Sequence, residues 1–411
     1  PGSDPFVERR HFARRQSAGR DGGTRPHPCY IPENEFRKLR TMIRMYRRVA
    51  GVGLALTMLV AGCGHSSSTS QGPATSSTPV PSVATSSTRA ASATSQAARD
   101  LPDPHTLRGL TEVPELPDPK PVEGSSAQKL PVTVTDVEGN KVTIKSTSRI
   151  LALDLYGTLS RTLIGLGLGD KIVGRTVSST EKQLHDRPVV TENGHVLNVE
   201  AVAGLKPSVI IADRSVGPKE ALDQLRKSGI PVVLVDPHRS VGSTPQLIRT
   251  IADAVGKPDA GEALVKRTQE QIDQAKKQIA AWKPAKPMRV AFLYVRGNAG
   301  VFFILGSENG ASELIQGVGA DDVASDKGIT TLVPANAESL VSINPDAIFV
   351  MRDGLASTGG MKGLLARAGV ANTTAGRKQR VISIPDGISL SFGPQTGEVL
   401  TAVAKALYGV K

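Results

Sequence analysis

A motif of fourteen residues occurs twice in this chain, and the pair constrains the fold more than any other feature. Residues 198–211 read NVEAVAGLKPSVII, and residues 336–349, which lie 138 positions further on, read NAESLVSINPDAIF. Each copy has the pattern of an asparagine-capped short helix that ends before a proline and leads into a buried strand. Two copies so far apart favour two duplicated α/β lobes over a solenoid of stacked repeats.

The pattern of apolar runs on either side of each copy predicts the structure of the two lobes. All-apolar strands alternate with helices, including one around residues 219–227, which is typical of parallel sheets covered on both faces. Helical periodicity over residues 245–282, interrupted at residues 256–258, predicts a long connecting helix. We therefore expect an N-terminal lobe at residues 130–243, a linking helix at 244–287, a C-terminal lobe at 288–411 and a ligand cleft between the lobes.

The positive charge lies mainly outside these lobes. The chain has 411 residues and a net charge of +12, and residues 1–62 contain 12 Arg and Lys against 5 Asp and Glu. An excess confined to a flank does not indicate a nucleic-acid-binding face, so we expect no nucleic-acid partner.

The basic flank has the features of an export signal. Arg44, Arg47 and Arg48 precede an apolar run at residues 49–60, which is too short for a stable membrane span but suits a signal-peptide core. The tetrad VAGC, ending at Cys63, resembles the lipobox of bacterial lipoproteins. That resemblance implies acylation of Cys63 and attachment to the outer face of the cytoplasmic membrane; the alternative is a signal peptide with an incidental cysteine. Residues 1–41 have no hydrophobic period, and the sequence leaves open whether they belong to the natural product.

The segment that follows is predicted to be a disordered tether. Serine and threonine make up 17 of the 33 residues at positions 66–98, with no apolar period, and prolines punctuate residues 99–129. The tether is therefore assigned to residues 63–129, and folding is expected to begin near Leu130.

The combination of lipobox, tether, duplicated lobes and long connecting helix resembles the class III substrate-binding proteins of ABC importers. Within that class, the segments TENGHVLNVEA, LYVRGNAGVFFILG and SFGPQTGEVL are similar to the HmuT-type haem-binding lipoproteins. The resemblance implies capture of haem as the transported ligand, delivery to a permease dimer with its ATPase, and a monomeric protein that is not an enzyme.

The residues themselves offer candidates for the haem iron. His195 ends a loop that is longer in the first lobe than in the second, where an imidazole nitrogen can reach ferric iron. Tyr294 ends a predicted strand, and Arg296 lies on the same side, where its charge favours a phenolate. Taken alone, the two residues are better explained as a solvated turn histidine and a packed tyrosine with a solvated hydroxyl. The resemblance implies that His195 and Tyr294 are the axial ligands and that Arg296 supports the tyrosine.

Further residues are assigned to the cleft wall and to docking. Glu200 and Glu338 occupy the same position in the two motif copies. The resemblance implies that they meet arginines of the permease, whereas a carboxylate at a helix start also stabilises the helix without any partner. The candidates for the cleft wall are Tyr156, His238, Met351, Arg352 and Phe392.

Three alternatives remain open at this point. A ferric siderophore receptor of the same class would use Arg296 and Arg352 against an anionic chelate. A metal-dependent hydrolase or chelatase would use His195, His185 and nearby carboxylates, although the chain lacks the common motifs of metalloproteases, P-loop proteins and serine hydrolases. A zinc or manganese receptor would need more clustered histidines than the lobes offer.

Overall fold

The computed structural model describes residues 101–123, 127–192, 194–297 and 300–411. Cys63, the predicted signal segment and the serine-rich part of the tether lie outside these residues. Within the described ranges, no helix combines the length and apolar character needed to cross a membrane.

The first lobe is built around a four-stranded parallel sheet. Before the sheet, the chain forms a short strand that belongs to the second lobe, β1 (Leu110–Glu112), and a hairpin of β2 (Val132–Thr135) and β3 (Lys141–Ile144). The sheet has the order β5–β4–β8–β9. Its strands are β4 (Ile150–Leu153), β5 (Ile172–Gly174), β8 (Val209–Ala212) and β9 (Val232–Leu234). Every residue of β4, β8 and β9 is buried, which explains why these strands are apolar throughout.

Helices and one small hairpin complete this lobe. The hairpin of β6 (Thr191–Glu192) and β7 (Val196–Leu197) occupies the extra loop that precedes the first motif copy. The helices are α1 (Thr158–Gly165), α2 (Val199–Gly204) and α3 (Lys219–Lys227). The predicted helix at residues 219–227 coincides with α3.

The second lobe contains a seven-stranded mixed sheet. Its order is β1–β15–β14–β10–β11–β13, with β12 beside β10; β11 and β13 add antiparallel pairing to a parallel core. The strands are β10 (Arg289–Arg296), β11 (Val301–Ile304), β12 (Asp321–Asp322), β13 (Val333–Pro334), β14 (Ala347–Met351) and β15 (Val381–Ile384). The helices are α6 (Ala311–Gly317), α7 (Ala337–Ile343), α8 (Arg352–Ser357), α9 (Gly360–Leu365), α10 (Thr374–Lys378) and α11 (Asp386–Ser389).

Two consecutive helices connect the lobes, α4 (Thr244–Ala254) and α5 (Pro258–Trp282). The break falls at the predicted interruption, where Gly256 has a φ of 67° and Pro258 begins the second helix. Helix α5 packs against α4 on one side and against the C-terminal helix α12 (Thr396–Tyr408) on the other. This long helix therefore joins the two lobes as predicted.

The contact between α5 and α12 depends on a glycine. A Cβ added at Gly397 would lie 2.4 Å from the backbone carbon of Gln271, so the two helices can approach this closely only without a side chain. We expect Gly397→Ala to lower the free energy of unfolding by about 1–3 kcal/mol, because the helix backbones must move apart. Chemical denaturation measures the change, with Gly204→Ala as control because its Cβ would have no neighbour within 4 Å. Equal stability of the two variants would contradict this prediction.

The two motif copies adopt the same structure. The side chain of Asn198 accepts a hydrogen bond from the backbone N–H of Ala201 at 2.9 Å, and Asn336 accepts one from Ser339 at 2.9 Å. Each short helix is followed by a strand at the centre of its sheet, β8 or β14. The prediction of duplicated α/β lobes is thereby confirmed.

The predicted start of the folded region near Leu130 is wrong, because β1 belongs to the second lobe. Leu110–Glu112 pairs in parallel with β15, and the backbone N–H of Val113 donates to the carbonyl of Ser383 at 2.8 Å. Val113 itself is fully buried. A three-residue edge strand between Gly109 and Pro114 is too short to show a hydrophobic period, so it cannot be recognised from local pattern.

Candidate functional site

A cleft of about 370 Å³ lies between the lobes. Its walls are formed mainly by residues at or just after the carboxyl ends of β4, β8, β9, β10, β14 and β15, where open α/β sheets bind ligands. The first lobe contributes Leu155, Tyr156, Ser178, Ser215, Pro237 and His238. The second contributes Tyr294, Arg296, Leu305, Glu308, Asn309, Thr331, Leu332, Met351, Asp386 and Leu390.

On the second lobe, Tyr294, Arg296 and Asp386 form a group that we call the second-lobe cluster. The Arg296 guanidinium lies 5.2 Å from the centroid of the Tyr294 ring, and its Nη2 donates to Asp386 Oδ1 at 2.5 Å and to Met351 Sδ at 3.4 Å. Arg296 is 6% exposed and Tyr294 is 9% exposed. The ion pair with Asp386 therefore holds a positive charge over the tyrosine ring.

Asp386 was not among the residues predicted from the sequence. It stands two residues after β15, and its second carboxylate oxygen accepts the backbone N–H of Asp353 at 2.9 Å. Burial, and next the nearby Asp386 charge, raise the pKa of the Asp353 carboxyl. A polar residue shortly after an apolar strand is the available signal, but nothing local indicates that it meets Arg296.

On the first lobe, Tyr156, Arg239, Asp213 and Asp154 form a corresponding group, the first-lobe cluster. The Arg239 guanidinium lies 5.5 Å from the centroid of the Tyr156 ring and forms an ion pair with Asp213, while Asp154 Oδ2 is 3.6 Å from its Nη2. Burial, followed by the charge of Asp213, raises the pKa of Tyr156 to about 12. This tyrosine is therefore a neutral phenol throughout the physiological range.

His195 is buried in the β6–β7 hairpin and is not among the residues that line the cleft. It precedes β7 in the β6–β7 hairpin, and its carbonyl accepts the backbone N–H of Gly217 at 2.9 Å. Its residue is 8% exposed, and the described residues that line the cleft do not include it. The structure thus brings Tyr294 and Arg296 together on the cleft wall, whereas His195 is buried in the β6–β7 hairpin and is not among the lining residues.

The other cleft-wall predictions divide into two groups. Tyr156, His238 and Met351 line the cleft, and the His238 imidazole lies 2.8 Å from the carboxylate of Asp236. Phe392 and Arg352 are not among the described residues that line it. Phe392 is 6% exposed and packs in the core of the second lobe.

Arg352 binds the amino-terminal segment next to β1, which the sequence assigns to the tether. Its guanidinium donates to Glu115 Oε1 at 2.6 Å and to the carbonyl of Val113, both just after β1. The guanidinium therefore fixes the amino-terminal segment to the start of α8.

The two glutamates of the repeated motif occupy matching positions. Glu200 is the second residue of α2 and Glu338 the second residue of α7, and both are exposed. Each carboxylate lies at the positive end of a helix dipole.

Comparison with known proteins defines the class. Residues 155–387 match the periplasmic binding protein family, and the chain belongs to this family. Its fold is similar to the crystal structure of the haem-binding protein HmuT, with 49% identity, 75% of this chain and 100% of that chain covered, and a TM-score of 0.74. The apo form of the periplasmic haem-binding protein RhuT from Roseiflexus sp. RS-1 is 32% identical, with 64% of this chain and 99% of that chain covered and a TM-score of 0.60.

A curated relative points to the same kind of transport system. The uncharacterized ABC transporter substrate-binding lipoprotein YvrC of Bacillus subtilis is 27% identical over 280 residues, which cover 68% of this chain and 86% of that protein. That relative is named as a substrate-binding protein of a transporter, and the two solved structures are named as haem-binding proteins.

Proposed function

We propose that this protein captures haem in the cleft between its lobes and delivers it to an ABC importer. The observation that carries the proposal is the second-lobe cluster, which presents a tyrosine to the cleft beneath a guanidinium held by a carboxylate. A phenolate is a good ligand for ferric iron, and a fixed positive charge favours the phenolate form. The 49% identity to HmuT over three quarters of the chain supports haem over other ligands of the class.

In this proposal, the iron is held between Tyr294 of the second lobe and His195 of the first. Structures of three HmuT variants also match this chain, each with a histidine, a tyrosine or an arginine replaced by alanine. Those three residues are spaced along HmuT as His195, Tyr294 and Arg296 are spaced here, which supports the assignment. Because His195 is buried and is not among the residues that line the cleft, haem binding is expected to expose its imidazole to the ligand.

A visible absorption titration with hemin tests the function. We expect a Soret band that differs from that of free hemin and saturates at one equivalent per chain. Cobalamin and a ferric siderophore, added in competition, are expected to leave the band unchanged. A chain that ignores hemin but binds the ferric siderophore would support the siderophore-receptor alternative instead.

Loss of the guanidinium in Arg296→Ala is expected to weaken hemin binding by about tenfold at neutral pH. The loss should grow at mildly acidic pH, because the phenol of Tyr294 must give up its proton to bind iron and the positive charge that favours this step is gone. Hemin titrations at several pH values measure the effect. Arg352→Ala is the matched control, since Arg352 contacts Glu115 outside the cleft. A loss for Arg296→Ala that does not vary with pH would contradict the proposed role.

We propose that the importer contacts both lobes through Glu200 and Glu338. The region around each of these glutamates is called the tip of its lobe. Val341, one turn after Glu338, is 48% exposed, and Val189 is 44% exposed. The next residue, Val190, accepts the backbone N–H of Asn198 with its carbonyl at 3.0 Å, which places Val189 near the start of α2. Each tip thus combines an acidic residue with an exposed apolar side chain, as a partner with arginines and apolar loops would require.

The remaining assignments concern attachment to the membrane. We infer that a lipid on Cys63 anchors a monomeric protein to the outer face of the cytoplasmic membrane and that the residues between Cys63 and Leu101 serve as a tether. The name of YvrC as a lipoprotein supports this inference.

A further inference from the structure

The cleft presents two tyrosines to its ligand, Tyr156 in the first-lobe cluster and Tyr294 in the second-lobe cluster. Both lie beneath a guanidinium, at 5.5 Å and 5.2 Å from the ring centroid. Both guanidinium groups are ion-paired with an aspartate that follows a strand. A phenolate from either tyrosine can bind ferric iron. Differences between the two clusters must therefore decide which tyrosine binds the iron.

The clusters differ two residues before each tyrosine. The first lobe has Asp154 at this position, whereas the second lobe has the apolar Phe292, and both side chains are fully buried. Asp154 Oδ2 accepts the backbone N–H of Thr158 at 2.9 Å and lies 3.6 Å from Arg239 Nη2. The first-lobe cluster therefore places a second buried carboxylate on the guanidinium that already pairs with Asp213.

We propose, on the basis that haem is the ligand, that Asp154 and Asp213 are specificity-determining residues. They keep Tyr156 protonated, so that Tyr294 rather than Tyr156 binds the iron. Ligation by Tyr156 would require its O–H bond to break, with release of the proton to solvent, before an Fe(III)–O bond forms. The resulting phenolate would lie beside two buried carboxylates that share one guanidinium, and like charges in a desolvated site disfavour that state strongly.

The charges around Tyr156 support this assignment. Asp213 and Asp154 oppose ionisation of the phenol, Arg239 favours it, and burial opposes it most, so that the pKa is raised to about 12. As a neutral phenol on the cleft wall, Tyr156 offers the ligand a hydrogen-bond donor. Because Tyr294 and His195 are then the residues that bind the iron, the iron is coordinated from both lobes and not from the first lobe alone.

A ligand-free titration of tyrosine absorbance tests the electrostatic part. We expect Asp154→Asn to move one tyrosine titration toward neutral pH by about one pH unit, because asparagine keeps an acceptor for Thr158 but removes the charge. The added substitution Tyr156→Phe should abolish the shifted transition. Asp213→Asn is the second variant if Asp154→Asn fails to fold, and Asp170→Asn, whose side chain is 69% exposed, is the control. Unshifted titrations in both folded variants would overturn the proposal.

The hemin complex tests the consequence for ligand choice. Tyr294→Phe alone is expected to lose the tyrosinate charge-transfer band, and Tyr294→Phe with Asp154→Asn should regain part of it from Tyr156. A Tyr294→Phe protein that keeps the band, and loses it on addition of Tyr156→Phe, would show that the acidic pair does not exclude Tyr156 and would overturn the proposal. Failure of the unmodified chain to bind hemin would contradict the proposed function instead, while the ligand-free titration still decides the role of the carboxylates.

Discussion

Replacement of the Tyr294 hydroxyl by hydrogen, in Tyr294→Phe, is expected to abolish the tyrosinate signature of the hemin complex and to lower hemin affinity by about 100-fold or more, since the loss of outer-shell partners alone costs up to that factor. Phenylalanine keeps the ring beneath Arg296, so the packing of the second-lobe cluster should survive. Absorption titration and resonance Raman spectroscopy measure the affinity and the iron–phenolate bond.

Two comparisons make this result specific. His195→Ala should convert the complex to a form without an imidazole ligand, and His185→Ala should not, because the His185 side chain is 85% exposed on a neighbouring turn. Tyr156→Phe is expected to retain the tyrosinate band, since its phenol remains protonated. If Tyr294→Phe and His195→Ala both retain the spectrum of the unmodified complex, the axial assignment is incorrect.

The double variant Glu200→Gln with Glu338→Gln is expected to abolish haem uptake in cells while leaving hemin binding intact. Both carboxylates are exposed and lie outside the cleft lining, so their charge is available to a partner but not to the ligand. Removing each charge also loses a helix-dipole interaction worth about 0.3–1 kcal/mol, so thermal stability should change little. Uptake of haem as sole iron source, measured beside hemin affinity and melting temperature, separates the two effects.

Glu220→Gln is the matched control for this experiment. Glu220 is also an exposed glutamate in the first turn of a helix, α3, but it has no counterpart in the motif copies. We expect it to leave uptake unchanged. Normal uptake by the double variant, or a large loss of stability, would reduce Glu200 and Glu338 to helix-end charges.

The parts of the fold that were predictable from the sequence are those encoded locally. Asparagine caps, prolines after the helices and all-apolar strands lie within fourteen residues of one another in each motif copy, so the duplicated lobes could be recognised. The break before α5 was equally local, because Gly256 and Pro258 mark it directly. Strand β1 could not be recognised, since its three residues acquire meaning only through pairing with β15.

Less of the site than of the fold was predictable, because fewer of its contacts are local in the sequence. Tyr294 and Arg296 lie on one strand, so a period of two was enough to place them together. Asp386 meets Arg296 across 90 residues of chain, and Arg239 joins Asp213 across 26. Such ion pairs depend on which strand ends are neighbours in the sheet, and the order of strands is a tertiary property.

The pairing of β1 with β15 makes the second lobe discontinuous along the chain, with the entire first lobe inserted between its edge strand and its remaining strands. A protein trimmed at Leu130 would therefore keep every residue of the cleft but would leave β15 with unpaired backbone groups along one side. Such an open edge invites pairing with another molecule, so aggregation would follow from a truncation that spares the binding site. The amino-terminal segment thus covers the edge of the sheet as a strand, in addition to connecting the tether to the folded lobes.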